Sequence, residues 1–290
     1  MNKSQYVINA EFWVLYVINS EFWVHREVMY LKQNRVSISA SVLKSIAYLS
    51  MLIDHYFAVV FYKQIDWMAS RGNSVSGANI IYRVGRSIGK PAFILFAFMV
   101  AEGFIHTRSR TKYLLRLFIF ALLSEIPFDL AISGSVASFD KQNVFFTLFL
   151  GVLALCLMDH AKGHPILQAL SVLACGISAS FLNTDYAIMG VFLVVTFYLC
   201  RKDFVMQFMV CSFVIYFGII LIDVYQNWGY GYSLIQHMNF GMRELYGLAA
   251  FLPIYFYNGK KGRQLPKLCY YMFYPVHLFI LYGIGQLFVY

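Results

Sequence analysis

Charge is scarce in this sequence: Asp, Glu, Lys and Arg make up 13% of its 290 residues, about half the share of an ordinary globular domain. So few charges cannot clothe a water-facing surface, which excludes a soluble domain of this length. Acidic residues are scarcer than basic ones, 14 against 23, leaving a net charge of +9. Prolines number only 6. The five cysteines, Cys156, Cys175, Cys200, Cys211 and Cys269, form no C-x-x-C pair and have no His at ligand spacing. A disulfide framework and a metal centre are therefore not expected. The opening of the chain has no short apolar core leading to a small-residue cleavage site, so no cleavable signal peptide is expected either.

What the sequence has in abundance is apolar surface. Hydrophobic residues reach 60%, aromatics 19%, and the mean hydropathy is +0.63. These values predict an all-α, polytopic bundle in a lipid bilayer, with Tyr and Trp at the ends of the apolar runs where headgroups suit their rings. Runs able to span are placed at roughly 41–62, 82–105, 114–132, 144–160, 166–182, 186–200, 204–223, 243–258 and 268–289, about nine to ten spans around an internal polar cavity. The basic connections "HTRSRTKYLLR", "RKD" and "GKKGRQLPK" fall on one side of nine spans, whereas loops 133–143 and 224–242 hold only Lys141. Positive loops face the cytoplasm, so the N-terminus is expected there and the C-terminus outside. The same rule accounts for the net charge without any nucleic acid partner.

Residues 6–25 repeat a ten-residue unit, "YVINAEFWVL" then "YVINSEFWVH", and nothing comparable recurs. Residues 1–40 read as an N-terminal extension that need not be native, with Met29 as a candidate initiator, and 41–290 as the membrane domain. An interfacial amphipathic helix is the functional alternative for the repeat.

The few charges inside the spans carry the chemical information. Counting along each helix, His55 lies about 16 Å beyond Lys44, Glu125 about 13 Å beyond Arg116, and His277 about 15 Å beyond Lys267, all near the midplane. Arg83 and Arg86 fall toward the outer end of the second span, Lys90 nearer its middle, and Asp129 outside Glu125. An ionised group at a lone helix centre costs about 2.5–3.5 kcal/mol, so these side chains are expected to line one hydrated interior. The plain structural reading pairs Lys90 with Glu125 or Arg86 with Asp129 as interhelical glue. It leaves Asp54 and His55 unexplained, because adjacent helical residues point about 100° apart.

A midplane imidazole can act as a general base, and basic side chains can hold a phosphate-bearing donor, which describes acyl transfer. A proton-coupled transporter would use the same acid and imidazole groups, and the residues alone leave both open.

The segments "LKSIAYLSMLIDHY", "YRVGRSIGKPAFILFAFMVAEGF", "QNVFFTLFLG", "TDYAIMG" and "YYMFYPVHLFILY" together resemble the TraX family, named for the F-pilin acetylation protein, over about residues 43–288. That family is similar to membrane acyltransferases that modify polysaccharides with acetyl-CoA and carry a basic residue, ten residues and a His, plus an Arg-x-x-Arg pair. Lys44 with His55, and Arg83 with Arg86, match those patterns. The resemblance implies His55 as catalytic base and Arg83 and Arg86 as the pair that binds or positions the donor or the acyl intermediate; the depth count adds Asp54 and Glu125 as catalytic candidates and Lys44 and Lys90 as donor-binding ones. Tyr274, His277, Asp185 and Tyr186 are further candidates. It implies acetyl-CoA as acyl donor, no metal, and an envelope glycan hydroxyl or a pilin N-terminus as acceptor.

Overall fold

The computed structural model describes residues 37–227 and 233–288. The tandem repeat lies outside them. Among the described residues the chain is helical with no strand, apart from isolated bridge residues, Gln142 pairing in parallel with Thr184 among them.

Among the described residues nine rods follow one another: α1 (Ala40–Ser70), α2 (Ser76–His106), α3 (Arg110–Ile132), α4 (Val144–His160), α5 (Pro165–Phe181), α6 (Ala187–Leu199), α7 (Phe204–Gln226), α8 (Leu234–Glu244, continued by a 3₁₀ turn Leu245–Ala250 and by Phe251–Tyr255) and α9 (Lys267–Gln286). Four of these segments, in α1, α2, α7 and α9, are long and apolar enough to cross a membrane; α4, α5 and α6 are apolar but shorter. α3 is long enough, but it carries Arg116, Glu125 and Asp129. The chain is a membrane protein built as a helical bundle. The first span runs on to Ser70 and the second starts at Ser76, beyond the ends expected at 62 and 82. The run 243–258 is only the second half of α8, since Leu234–Glu244 is polar on one face and escaped a search for apolar runs.

Starts and stops follow local chemistry. The side chains of Ser109, Asn143 and Asp203 accept from backbone N–H groups in the first turns of α3, α4 and α7, and Pro165 opens α5. The loop 258–266 closes on the start of α1, where Ala40 N donates to Lys260 O at 2.8 Å and Ser41 N to Lys261 O at 3.1 Å. Arg110 pairs with Asp159, bringing the α2–α3 and α4–α5 turns to one end of the bundle. That end collects the basic loops.

α1 and α2 approach most closely where α2 has no side chains. A Cβ at Gly85 would stand 2.1 Å from the Phe57 ring, and one at Gly89 2.3 Å from Asp54 Cβ. The sequence "GRSIG" is thus a small-xxx-small contact of the kind that lets membrane helices touch backbone to backbone. Both helices are interrupted at this depth. α1 widens into a π turn over Tyr56–Phe61 directly after His55, and α2 breaks at Lys90, before Pro91, which has no N–H to give. Ser50 Oγ donates to the carbonyls of Ile88 at 2.8 Å and Gly89 at 3.2 Å, supplying donors that water cannot supply inside a bilayer.

Gly85→Ala and Gly89→Ala should each destabilise the bundle by about 1–3 kcal/mol, the usual range for overpacking. Thermal unfolding in detergent measures it. Gly77→Ala, with nothing within 4 Å of its Cβ, should leave the midpoint unchanged, and Phe57→Ala should restore part of the loss in Gly85→Ala.

Candidate functional site

Asp54 and His55 point to different neighbours, as the angle between adjacent helical residues requires. Asp54 faces α2, where Arg86 Nη1 donates to its Oδ2 at 2.5 Å and to its backbone carbonyl at 3.2 Å. His55 faces α9, with its Nδ1 2.6 Å from His277 Nε2 and the rings 18° from parallel. His277 Nδ1 in turn lies 2.7 Å from the Phe273 carbonyl, one turn back on its own helix.

Both residues stand on the wall of a cavity of about 260 Å³. The other charges on the wall are paired: Lys90 from α2 with Glu244 from α8, Lys141 with Asp185 at 2.8 Å, and Asp223 of α7, whose Oδ2 lies 2.5 Å from His237 Nδ1; apolar side chains such as Phe128, Ile219 and Ile222 line the rest. Ile132, Lys141, Thr184 and Asp185 form the rim, so the cavity lies toward the end of the bundle away from the basic loops.

The rim is held by its own bonds. Asp185 N donates to Gln142 O at 2.8 Å, and Thr147 Oγ1 donates to Thr184 Oγ1 at 3.0 Å. Asn183, Tyr186 and Ala187 all have positive φ, at 50°, 64° and 41°, a conformation that residues with a Cβ adopt at a cost. The Tyr186 ring lies flat on Phe93, with centroids 3.7 Å apart, and pins this turn to α2. Burial opposes the charge on Asp185, but Lys141 beside it holds its carboxyl below the usual carboxylate range. Asp185 in turn raises Lys141 above the usual lysine value against burial. The sign follows for each partner. The Asp185 contribution is present above the ordinary carboxylate pKa and lost as pH falls through the lower folded value; that of Lys141 is present below the ordinary lysine value and lost as pH rises through the higher one. The pair is therefore intact throughout the neutral range.

Several candidates from the sequence lie elsewhere. Glu125 does not reach the cavity; the side chain of Asn143 donates to its carboxylate, and it pairs with no lysine. Asp129 accepts from Ser138 N at 2.8 Å, not from Arg86. The expected pairs Lys90–Glu125 and Arg86–Asp129 are thus replaced by Lys90–Glu244 and Arg86–Asp54, because α8, unseen as a full helix in the sequence, packs against the middle of α2. Arg83 is exposed and lines nothing here. Tyr274 is buried with its ring edge toward His55, centroids 5.8 Å apart. Among the described residues no three His, Cys, Asp or Glu side chains gather as a metal site.

Lys44 sits at the basic end, its Nζ 2.5 Å from Gln264 Oε1 and 4.1 Å above the Tyr270 ring. From there an aromatic column runs to the cavity: Tyr270 on Tyr48 at 6.0 Å, Tyr48 on Phe273 at 4.7 Å, Phe273 on His277 at 4.9 Å, and His277 on His55 at 4.9 Å. Glu244, Asp223 and His237 were not foreseen. Asp223 closes the run 204–223 and Glu244 opens the run 243–258, at ends where the depth count assigned no site role, whereas His237 lies in 224–242, read as a loop; only an amphipathic reading of 234–244 finds it.

Lys90→Met should destabilise by about 3–5 kcal/mol, since it leaves the carboxylate of Glu244 buried and unanswered, and Lys90→Met with Glu244→Met should recover most of that loss. Unfolding midpoints of the three proteins decide it.

A family model for TraX protein matches residues 39–285. The chain is also 28% identical over 256 residues to the "Probable fimbrial assembly protein FimC, serogroup H1" of Dichelobacter nodosus, covering 85% of this chain and 95% of that one. No solved structure matches. With the match extending from the start of α1 almost to the end of α9, the chain belongs to the TraX family.

Proposed function

We propose that this chain is an integral membrane acyltransferase that moves an acetyl group from acetyl-CoA to an acceptor entering the cavity from the side away from the basic loops. One observation carries the reading. His55 is the one imidazole on the described cavity wall, and its partner is another histidine, while the charges around it are matched as ion pairs.

The chemistry is general-base catalysis. An acceptor hydroxyl or amine loses its proton to His55 as its oxygen or nitrogen attacks the thioester carbon. The new acyl bond forms, the carbon–sulfur bond breaks, and the departing thiolate takes the proton back, leaving His55 as it began. Arg86, held by Asp54, lies close enough to the cavity to offer its remaining N–H groups to the oxygen that gains charge at the carbonyl. A volume of about 260 Å³ fits the thioester end of the donor together with the acceptor group, and leaves the nucleotide part outside. Lys44 and its neighbours in loop 258–266 are suited to phosphate there, at the far end of the aromatic column.

If the basic end is cytoplasmic, as the positive-inside rule has it, α1 begins in the cytoplasm and the donor approaches from that side. The acceptor then comes from outside. The relative from Dichelobacter nodosus is a probable fimbrial assembly protein, which supports a pilin N-terminus as acceptor; an envelope glycan hydroxyl fits the same base.

A proton-coupled transporter is the second reading, favoured by the π turn in α1 and the break in α2 beside the cavity, since transporters interrupt helices at their binding sites. Proton-dependent solute uptake into vesicles, with no acetyl transfer, would select it.

His55→Ala should lower acetyl transfer by about 10²–10⁴-fold, the usual worth of a positioned base, while the protein still accumulates in the membrane. Acetyl-labelled CoA supplied to membranes, with label counted in pilin and glycan fractions, measures the rate. Unchanged transfer, or disappearance of the protein from the membrane, would contradict the role.

A further inference from the structure

We infer that His277 is a positioning residue that holds His55 as its Nδ1–H tautomer, so that the Nε2 lone pair is the one offered to the cavity. The inference deepens the acyltransferase reading and rests on it for its catalytic meaning, but the tautomer follows from hydrogen-bond chemistry alone.

The chain of reasoning starts at the backbone. The Phe273 carbonyl can only accept, so His277 Nδ1, 2.7 Å away, must carry a proton. A neutral His277 then has its lone pair on Nε2. That atom is 2.6 Å from His55 Nδ1, so His55 Nδ1 must be the donor. A neutral His55 is left with its lone pair on Nε2. No hydrogen bond to that atom occurs among the described residues, and His55 lines the cavity. Each step removes one of the two tautomers open to a free imidazole.

His277 is well placed to impose this order. It is 5% exposed, its ring lies against Phe273 at 4.9 Å, and the bond to its own helix one turn back prevents the ring from turning. A carboxylate at this position would orient His55 equally well, but it would add a buried charge to a membrane interior where each charge needs its own partner. An imidazole that donates to a backbone carbonyl orients its neighbour while remaining neutral. At metal-ligating histidines, removing the hydrogen-bond partner that orients the ring costs about 10–100-fold, which sets the scale expected here.

The test is a spectroscopic one on the full chain in lipid vesicles, with ¹⁵N-labelled histidine. The His55 signals are identified by their loss in His55→Gln. In the wild-type protein His55 should be protonated at Nδ1 and bare at Nε2. His277→Gln, whose amide oxygen can accept where Nε2 did, should keep that tautomer and most of the acetyl transfer. His277→Phe removes the acceptor, so His55 should shift toward the Nε2–H form and transfer should fall about 10–100-fold with the protein still in the membrane. A wild-type His55 protonated at Nε2, or a tautomer unmoved in His277→Phe, would overturn the inference. Should His277→Phe not fold, the wild-type and His277→Gln spectra decide. The expected tautomers without any acetyl transfer would support the positioning role and refute the acyltransferase reading.

Discussion

Inside a bilayer a polar group cannot face lipid, so it must find its partner within the protein or stand on the wall of an internal cavity. This single constraint orders the middle of the molecule. Asp54 cannot be carried by α1 unless Arg86 answers it, and Arg86 reaches it only because Gly85 and Gly89 let α2 lie against α1 without intervening side chains. The same closeness allows Ser50 to serve two carbonyls beside the break at Lys90. Lys90, turned outward from that break, requires Glu244 from α8, which draws a polar helix against the core of the bundle. The cavity is what remains between these pairs.

Its position divides the bundle into two halves of different character. Toward the end with few charged loops lie the ion pairs, the strained turn at 183–187 and the open rim. Toward the basic end lies an aromatic column with Lys44 at its foot. His55 and His277 stand where the two halves meet. An enzyme that joins a donor from one compartment to an acceptor from the other needs a reacting centre at such a boundary, and it needs the boundary to be closed against free passage. Stacked rings fill that stretch without adding buried charge.

The helices of this fold were largely legible from apolar runs, because lipid-facing residues such as Leu49, Ile80 and Leu122 leave little ambiguity. What was not legible is α8. Leu234–Glu244 mixes polar residues with apolar ones and brings only Glu244 to the cavity, and a search for apolar length passes over it. Glu244 opens the run placed at 243–258, but depth alone does not show that this end packs against α2, and it matches Lys90 instead to Glu125, which in fact belongs to Asn143 and the start of α4. Depth counting did place His55 and His277 at one level, since 1.5 Å per residue is a property of the helix and not of the packing. It could not tell that Arg83, one turn before Arg86 on α2, is exposed and off the cavity wall while Arg86 is on it. Depth is one coordinate. The angle around each helix comes only from its neighbours.

The central claim is that the wall bearing Asp54 and His55 belongs to a hydrated cavity entered from the side away from the basic loops. Ala58 lies on that wall and offers a small residue for a probe. With the five native cysteines replaced by serine and Ala58→Cys introduced, a membrane-impermeant thiol reagent added from the side of loop 133–143 should label the protein, and the same reagent added from the side of loop 258–266 should not. Labelling only by lipid-soluble reagents, or only from the basic side, would contradict the account.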